Sequence, residues 1–180
     1  MRECGNCGKS IVAKNAHAKY CDTRCRVAAH RRNRANPIPA AMLEAVRWIR
    51  RSATKVPLTI DGQPASSTDP ATWANYSDAK ASTAGIGLGF ALGDGIGCLD
   101  LDHCVTDGKP NAHALALLRR YPTNYIEYSP SGTGLHIWGT RAEQPGTRKT
   151  IHGLQVETYS TGRYITITGN VYQHGDLAPL

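Results

Sequence analysis

Asp100 and Asp102, in the run "IGCLDLDH", alternate with Leu99 and Leu101. On a strand, alternate side chains share a face, so the two carboxylates point the same way. Neighbouring carboxylates repel unless a cation lies between them, and an oxygen donor pair of this kind suits Mg²⁺ or Mn²⁺. A DxD by itself also ends many solvated strands. Glu157, in "LQVETYS", follows apolar Val156 in another expected strand. Alone it reads as a surface glutamate. As a third carboxylate on a neighbouring strand it completes a two-metal site, in which ions ~4 Å apart stabilise the attacking and leaving oxygens.

Groups suited to an anion lie on either side. The stretch "YSPSGTGLHIWG" supplies Ser131, then Gly132 and Gly134, then His136 at a strand start. Glycines let backbone N–H groups approach an anion closely. Taken alone, the stretch is a hairpin turn with a half-buried histidine. Beside the three carboxylates, its hydroxyl, open amides and imidazole read as a triphosphate cradle. Arg163 opens an expected strand beside Glu157, as a plain salt bridge or as a clamp on phosphate oxygens. Lys55, in "TKVP", is a further phosphate contact or an exposed lysine.

Cys4-x2-Cys7 and Cys21-x3-Cys25 form two short-spaced pairs. Four soft ligands so spaced predict a structural Zn²⁺ knuckle. Four cysteines close the shell without His17 or His30. A redox CxxC fits less well, because no strand precedes it. Cys98 and Cys104 read as small buried hydrophobes. After Cys21, "DTRCRVAAHRRNRA" predicts a helix whose Arg24, Arg26, Arg31, Arg32 and Arg34 suit phosphate contacts or a protein-binding tail.

The elements that must position these residues fall into two bodies, 1–36 and 37–180, with the break at "RANPIP". Charge divides in a similar way. Residues 1–55 carry thirteen Lys/Arg against three Asp/Glu, and the remainder eight against eleven. A basic head suggests a polyanion partner, most often nucleic acid. In the second body, helical spacing of Met42, Leu43, Val46 and Ile49 predicts a helix over 40–52. A short strand is expected near Leu58 and a short helix at "YSDAKAS". "GIGLGFALGDGIGCLDLD" predicts two strands joined by the turn "GDG". "NAHALALLRRY" predicts a helix of about three turns, and "TNYIEYS", "LHIWG", "LQVETYS" and "RYITITG" predict four more strands. Strand runs with a helix on one face indicate an α+β sheet. A hydrophobic content of 41% supports a packed core. No apolar run reaches the eighteen residues of a membrane span, and "MRECGNCGKS" has no apolar leader core. A cytoplasmic protein without a disulfide framework is the expectation.

A DxD, then a Ser/His strand motif, then one acidic residue on a later strand is the motif order of the archaeo-eukaryotic primase superfamily. More narrowly, the chain resembles the bifunctional DNA primase/polymerase domains of phages and plasmids. The resemblance lies in "STDPATW", "GIGLGFALGDGIGCLDLDHC", "YIEYSPSGTGLHIWG", "VETY" and "GRYITITG", from about Lys55 to Asn170. It implies an α+β palm resembling an RNA-recognition fold, an N-terminal α/β module beside it, and attack of a 3′ hydroxyl on a nucleotide α-phosphate. Asp100, Asp102 and Glu157 would then hold Mg²⁺ or Mn²⁺. Ser131, Gly132, Gly134, His136, Arg163 and Lys55 would face the triphosphate. Single-stranded or primed DNA and NTP or dNTP would be the partners, with a separate helicase among the candidates and the bacterial host cytoplasm the place of action. The alternative is a non-catalytic nucleic-acid-binding replication initiator with a truncated palm. A metal nuclease of the replication-initiator type ranks last, because "LHIW" offers only His136 where that chemistry needs two histidines.

Overall fold

A computed structural model describes residues 2–151 and 153–180; for 30–35 it describes the backbone alone, so the side chains of His30, Arg31, Arg32 and Arg34 lie outside the described residues. The chain divides into two compact units, Met1–Ile38 and Pro39–Leu180.

In the first unit a tight loop folds back on itself: the Cys4 amide donates to Lys9 O, and the Gly8 amide to Cys4 O. Gly8 sits at φ +68, a conformation that suits glycine. Helix α1 (Thr23–Ala35) starts where Asp22 Oδ1 accepts the Cys25 amide at 2.7 Å, an N-cap on the third helical residue. The buried apolar side chains described in this unit are few: Cys4, Ile11, Ala29 and Ile38.

The second unit runs α2 (Ala40–Glu44), β1 (Trp48–Arg51), β2 (Pro57–Leu58), a 3₁₀ turn (Pro70–Thr72), α3 (Tyr76–Ala81), β3 (Gly87–Ala91), β4 (Ile96–Leu101), β5 (Val105–Thr106), β6 (Lys109–Pro110), α4 (Ala112–Leu118), β7 (Tyr125–Tyr128), β8 (Leu135–Thr140), β9 (Thr147–Ile151), β10 (Leu154–Tyr159), β11 (Tyr164–Ile167) and β12 (Val171–Gln173). Two main sheets form, β11-β3-β1-β2 and β12-β7-β8-β4-β10-β9, with β5-β6 as a small ribbon. Every ladder between these described strands is antiparallel. The α+β class follows, with two sheets rather than one.

On one face of the larger sheet, Leu99, Leu101, Ile126, Leu135, Ile137 and Val156 pack with Ala114, Leu117 and Leu118 of α4. On the opposite face Trp138 meets Phe90 of the smaller sheet edge-to-face at 6.1 Å, and Phe90 meets Trp48 at 5.3 Å. The sheet is thus apolar on one side, and aromatic over part of the other.

Three local expectations need correction. The helix expected over 40–52 ends at Glu44, and Trp48–Arg51 is a strand. Helical spacing would bury Val46, which is 61% exposed, whereas adjacent Trp48 and Ile49 are both buried. Pairing on both edges, with β3 and β2, overrides the local helical pattern. The two strands about "GDG" do not make a hairpin ladder. Beyond a bridge between Gly93 and Ile96 they separate, β3 into one sheet and β4 into the other. Finally, α4 has seven residues, about two turns. Strands β9 and β12 had no alternating apolar pattern to announce them.

Candidate functional site

Register brings the chemistry together. Asp100 on β4 pairs directly with His136 on β8 on one side and with Glu157 on β10 on the other. His136 in turn pairs with Glu127 on β7, and Glu157 with Arg148 on β9. Directly opposed residues of an antiparallel sheet point to one face. Glu127, His136, Asp100, Glu157 and Arg148 therefore form a single polar rung across five strands. The intervening leucines and isoleucines point to the α4 side. One rung further, Tyr125, Trp138, Cys98 and Tyr159 align and are buried, which walls the polar rung with aromatic surface.

His136 bridges two carboxylates. Its Nε2 lies 3.7 Å from Asp100 Oδ1 and its Nδ1 3.4 Å from Glu127 Oε1. Burial pushes the Asp100 carboxyl above its ordinary range. His136 and Lys55 oppose that shift, and the like charges of Asp102 and Glu157 add to it. Glu157 moves the other way. The Tyr159 hydroxyl, donating at 2.5 Å, lowers it most; burial opposes this, and Arg148 lowers it further. Arg148 Nε donates to Glu157 Oε1 at 2.5 Å, completing an ion pair. Asp102 lies one residue beyond β4 and is exposed. The three carboxylates do not converge on one point. Among the described residues, the only group of His, Cys, Asp or Glu ligand atoms all within 4.8 Å of one another is Cys4, Cys7, Cys21 and Cys25. The donor chemistry still fits a hard divalent cation: oxygens only, with like-charge repulsion at Asp100 that a cation relieves.

The loop before His136 is organised by Ser129 as well as Ser131. Ser129 Oγ accepts the Gly134 amide at 3.1 Å, Ser129 O accepts the Gly132 amide at 2.9 Å, and Ser131 Oγ accepts the Thr133 amide at 3.3 Å. These amides are thus engaged within the loop rather than open, because its own serines reach them first. What the loop exposes is Pro130, Ser131, Gly132 and Thr133. Gly134 is required by contact: a Cβ there would lie 2.5 Å from Leu101 O.

Arg163 precedes β11, whose strand pairs with β3 in the other sheet, so it does not open a strand beside Glu157. It reaches that region by stacking, its guanidinium 4.4 Å from the Tyr159 ring centre. A cleft of about 670 Å³ beside Glu157 is lined by Arg148, Tyr159, Thr161, Gly162 and Arg163. Lys55 is exposed in the turn after β1, at φ +62, and its carbonyl accepts a hydrogen bond from the Tyr164 hydroxyl.

In the first unit the Cys7 and Cys21 sulfurs lie 3.7 Å apart, and those of Cys21 and Cys25 3.5 Å. A tetrahedral ion with metal–sulfur bonds of ~2.3 Å separates its sulfurs by roughly 3.8 Å, so the cluster fits such an ion. Burial opposes ionisation of Cys4, but the amides of Cys21, Asn6 and Cys7 outweigh it and lower the thiol to about 6. Arg24 and Arg26 are exposed on α1.

Four contributors had not been singled out from sequence: Glu127, Arg148, Tyr159 and Ser129. A signal existed for Glu127, a carboxylate inside the apolar strand "YIEY". For Arg148 there was none.

A family model described as bifunctional DNA primase/polymerase, N-terminal, matches residues 24–177. That span holds the whole polar rung, whereas Cys4, Cys7 and Cys21 precede it. A DNA primase-polymerase of Nitratiruptor phage NrS-1 is 36% identical over 143 residues, which is 73% of this chain and 20% of that protein. The chain thus spans about a fifth of the length of the curated relative it matches.

Proposed function

The chain belongs to the bifunctional DNA primase/polymerase N-terminal family, and on that premise we propose that it is a template-directed nucleotidyltransferase in phage, prophage or plasmid DNA replication. The observation that carries this reading is the rung itself, in which Asp100 is flanked in register by Glu157 and by His136. The larger sheet with α4 is the palm, resembling an RNA-recognition fold, and the smaller sheet is the module beside it.

Asp100, Asp102 and Glu157 are the residues that would hold Mg²⁺ or Mn²⁺. Such ions, when bound, neutralise phosphate charge and activate the 3′ hydroxyl. The protein's own part is positioning and electrostatics. His136 and the Ser131 hydroxyl face the triphosphate of the incoming nucleotide, with Arg163 and Lys55 as its outer cationic contacts. Arg148, paired to Glu157 without a ligand, must turn away for that carboxylate to serve. The aromatic rung behind the site excludes water from one side of it. Residues 1–36 form a Zn²⁺ knuckle with a basic helix, whose arginines contact the template phosphates. Residues 37–180 are the catalytic domain. The host cytoplasm is the place of action, and a separate helicase a candidate partner.

The test is template extension by the purified protein with Mg²⁺ or Mn²⁺, on single-stranded DNA with and without a primer. Product in the wild type that disappears in Asp100→Ala/Asp102→Ala supports the reading. Absence of product under either metal, with DNA binding intact, overturns catalysis by this chain alone and leaves a nucleic-acid-binding module.

A further inference from the structure

We infer that β9, the edge strand beside Glu157, seats the primer strand, and that Arg148 takes the phosphate of the primer's last internucleotide linkage. The inference rests on the proposed nucleotidyltransferase reading and adds a direction to it. In an in-line displacement the attacking and leaving oxygens lie on opposite sides of the phosphorus. Across the sheet the rung runs Glu127, His136, Asp100, Glu157, Arg148. With the triphosphate against His136 and Ser131, the leaving oxygen lies on that side of Asp100. The attacking 3′ oxygen then comes from the Glu157 side. The strand that carries it continues outward, over β9.

The chemistry of β9 suits a polyanion. Its sequence is TRKTI, and residues 147–150 are exposed. Among the described strands it pairs with β10 alone. The opposite edge, β12, is Val171–Gln173 and carries no charge, so of the two edges only the one beside Glu157 is basic. Charge on an edge also discourages pairing with another strand. That accounts for Lys149 and Arg148 alike, but not for the place of Arg148 in the rung of Asp100 and Glu157. The Arg148 side chain is 71% exposed, so its guanidinium can leave Glu157 without disturbing the core. A cleft of about 670 Å³ lies between it and Tyr159, and a phosphate there would meet a planar, doubly donating cation. Lys149 pairs with Val156 of the α4-side core and so lies on the other face. Two neighbouring cations on one strand are therefore expected to behave differently.

The test is binding of the whole chain to a labelled template, primed and unprimed, by fluorescence anisotropy. Mg²⁺ is present and nucleotide is not, so nothing turns over. A second primer carries an uncharged methylphosphonate as its last linkage. In the wild type this change is expected to weaken binding about tenfold, the worth of one charge-assisted hydrogen bond. Arg148→Ala is expected to weaken the ordinary primed template about tenfold and to feel no further loss from the methylphosphonate. Its logarithmic salt slope on primed DNA should fall by about one. Its affinity for the unprimed strand should stay within about twofold of the wild type, which shows that the variant is folded. Lys149→Ala removes the same charge from the other face and is expected to match the wild type on each DNA. A wild type indifferent to the methylphosphonate overturns the inference without any variant. So does a penalty that persists in Arg148→Ala, or an equal loss in Lys149→Ala. In extension assays Arg148→Ala should raise primer KM about tenfold and nucleotide KM less than about threefold; the reverse split would put the triphosphate at Arg148 and overturn the inference. A wild type that shows the binding pattern without extending DNA removes the proposed catalysis and leaves the primer seat standing.

Discussion

Asp100 and Glu157 face each other as a directly paired couple across β4 and β10, yet their carboxyls are shifted in opposite directions. Asp100 is raised by burial and by its acidic neighbours. Glu157 is lowered by the Tyr159 hydroxyl and by Arg148. Neighbouring carboxyls pushed apart in this way take different roles. One is a strained group that a cation relieves, and the other already has a positive partner.

Asp100 should make folding stability depend on pH in a defined direction. Its folded-state carboxyl is raised above the unfolded one, so the folded protein holds this proton more tightly. Below the ordinary carboxylate range both states are protonated and nothing is lost. As pH rises, the unfolded chain ionises first, and stability falls until the folded carboxyl has ionised too. Asp100→Asn removes that loss. In metal-free buffer its melting temperature is expected to exceed the wild type's at pH 7 and to match it near pH 3. Mg²⁺ should raise the wild-type midpoint and leave the variant's unchanged. An identical difference at both pH values would contradict this account.

On the proposed reading, Arg148 would compete with a cation for Glu157, to which it is paired. Arg148→Ala is expected to tighten Mn²⁺ binding several-fold, because no ion pair has to be broken first. The expectation is read by titration of free Mn²⁺ followed by electron paramagnetic resonance. Weaker binding in the variant would mean that Arg148 supports the metal site.

Gly134→Ala tests the seat of the Ser131 loop. The new methyl would press on Leu101 O at 2.5 Å, and backbone on both sides resists the shift. A loss of about 1–3 kcal/mol is expected, measured by denaturant unfolding, together with a higher nucleotide KM. Gly132→Ala lacks any such contact. Its cost comes only from φ +74, and it should be milder.

The cysteine cluster should decide whether the first unit folds. Its described apolar core is small, and a body of this size commonly needs a metal. Removal of zinc by a chelator, or Cys7→Ser, is expected to abolish the structure of Met1–Ile38, read by amide exchange, while Pro39–Leu180 keeps its own melting transition. Protection of the first unit that survives complete removal of the metal would refute a structural ion.

The candidate groups of this protein were legible in its residue types and spacing. The DxD, the "SGTGLH" turn and strand, the late glutamate and the paired cysteines each carry their meaning locally. A strand's two-residue period is enough to put alternate carboxylates on one face, and two short cysteine loops are enough to suggest one ion. The longer strands and the basic helix followed from the same short-range rules. Other features depended on contacts distant in sequence. Helical spacing over 40–52 gave way to a strand, because β1 gains a ladder on each edge, with β3 along its length and with β2 at Arg50 and Arg51, and Trp48 and Ile49 are buried on its two faces. The strands on either side of "GDG" went to separate sheets, which no turn motif specifies. Long-range register of β4 with β8 and β10 placed Asp100 between His136 and Glu157, and the nearer pairings of β9 with β10 and of β7 with β8 then added Arg148 and set Glu127 beside the histidine. Sequence alone determined which groups are available. Tertiary structure decided which of them share a rung, because cross-strand pairing is set by the packing of whole faces and not by any local run of residues.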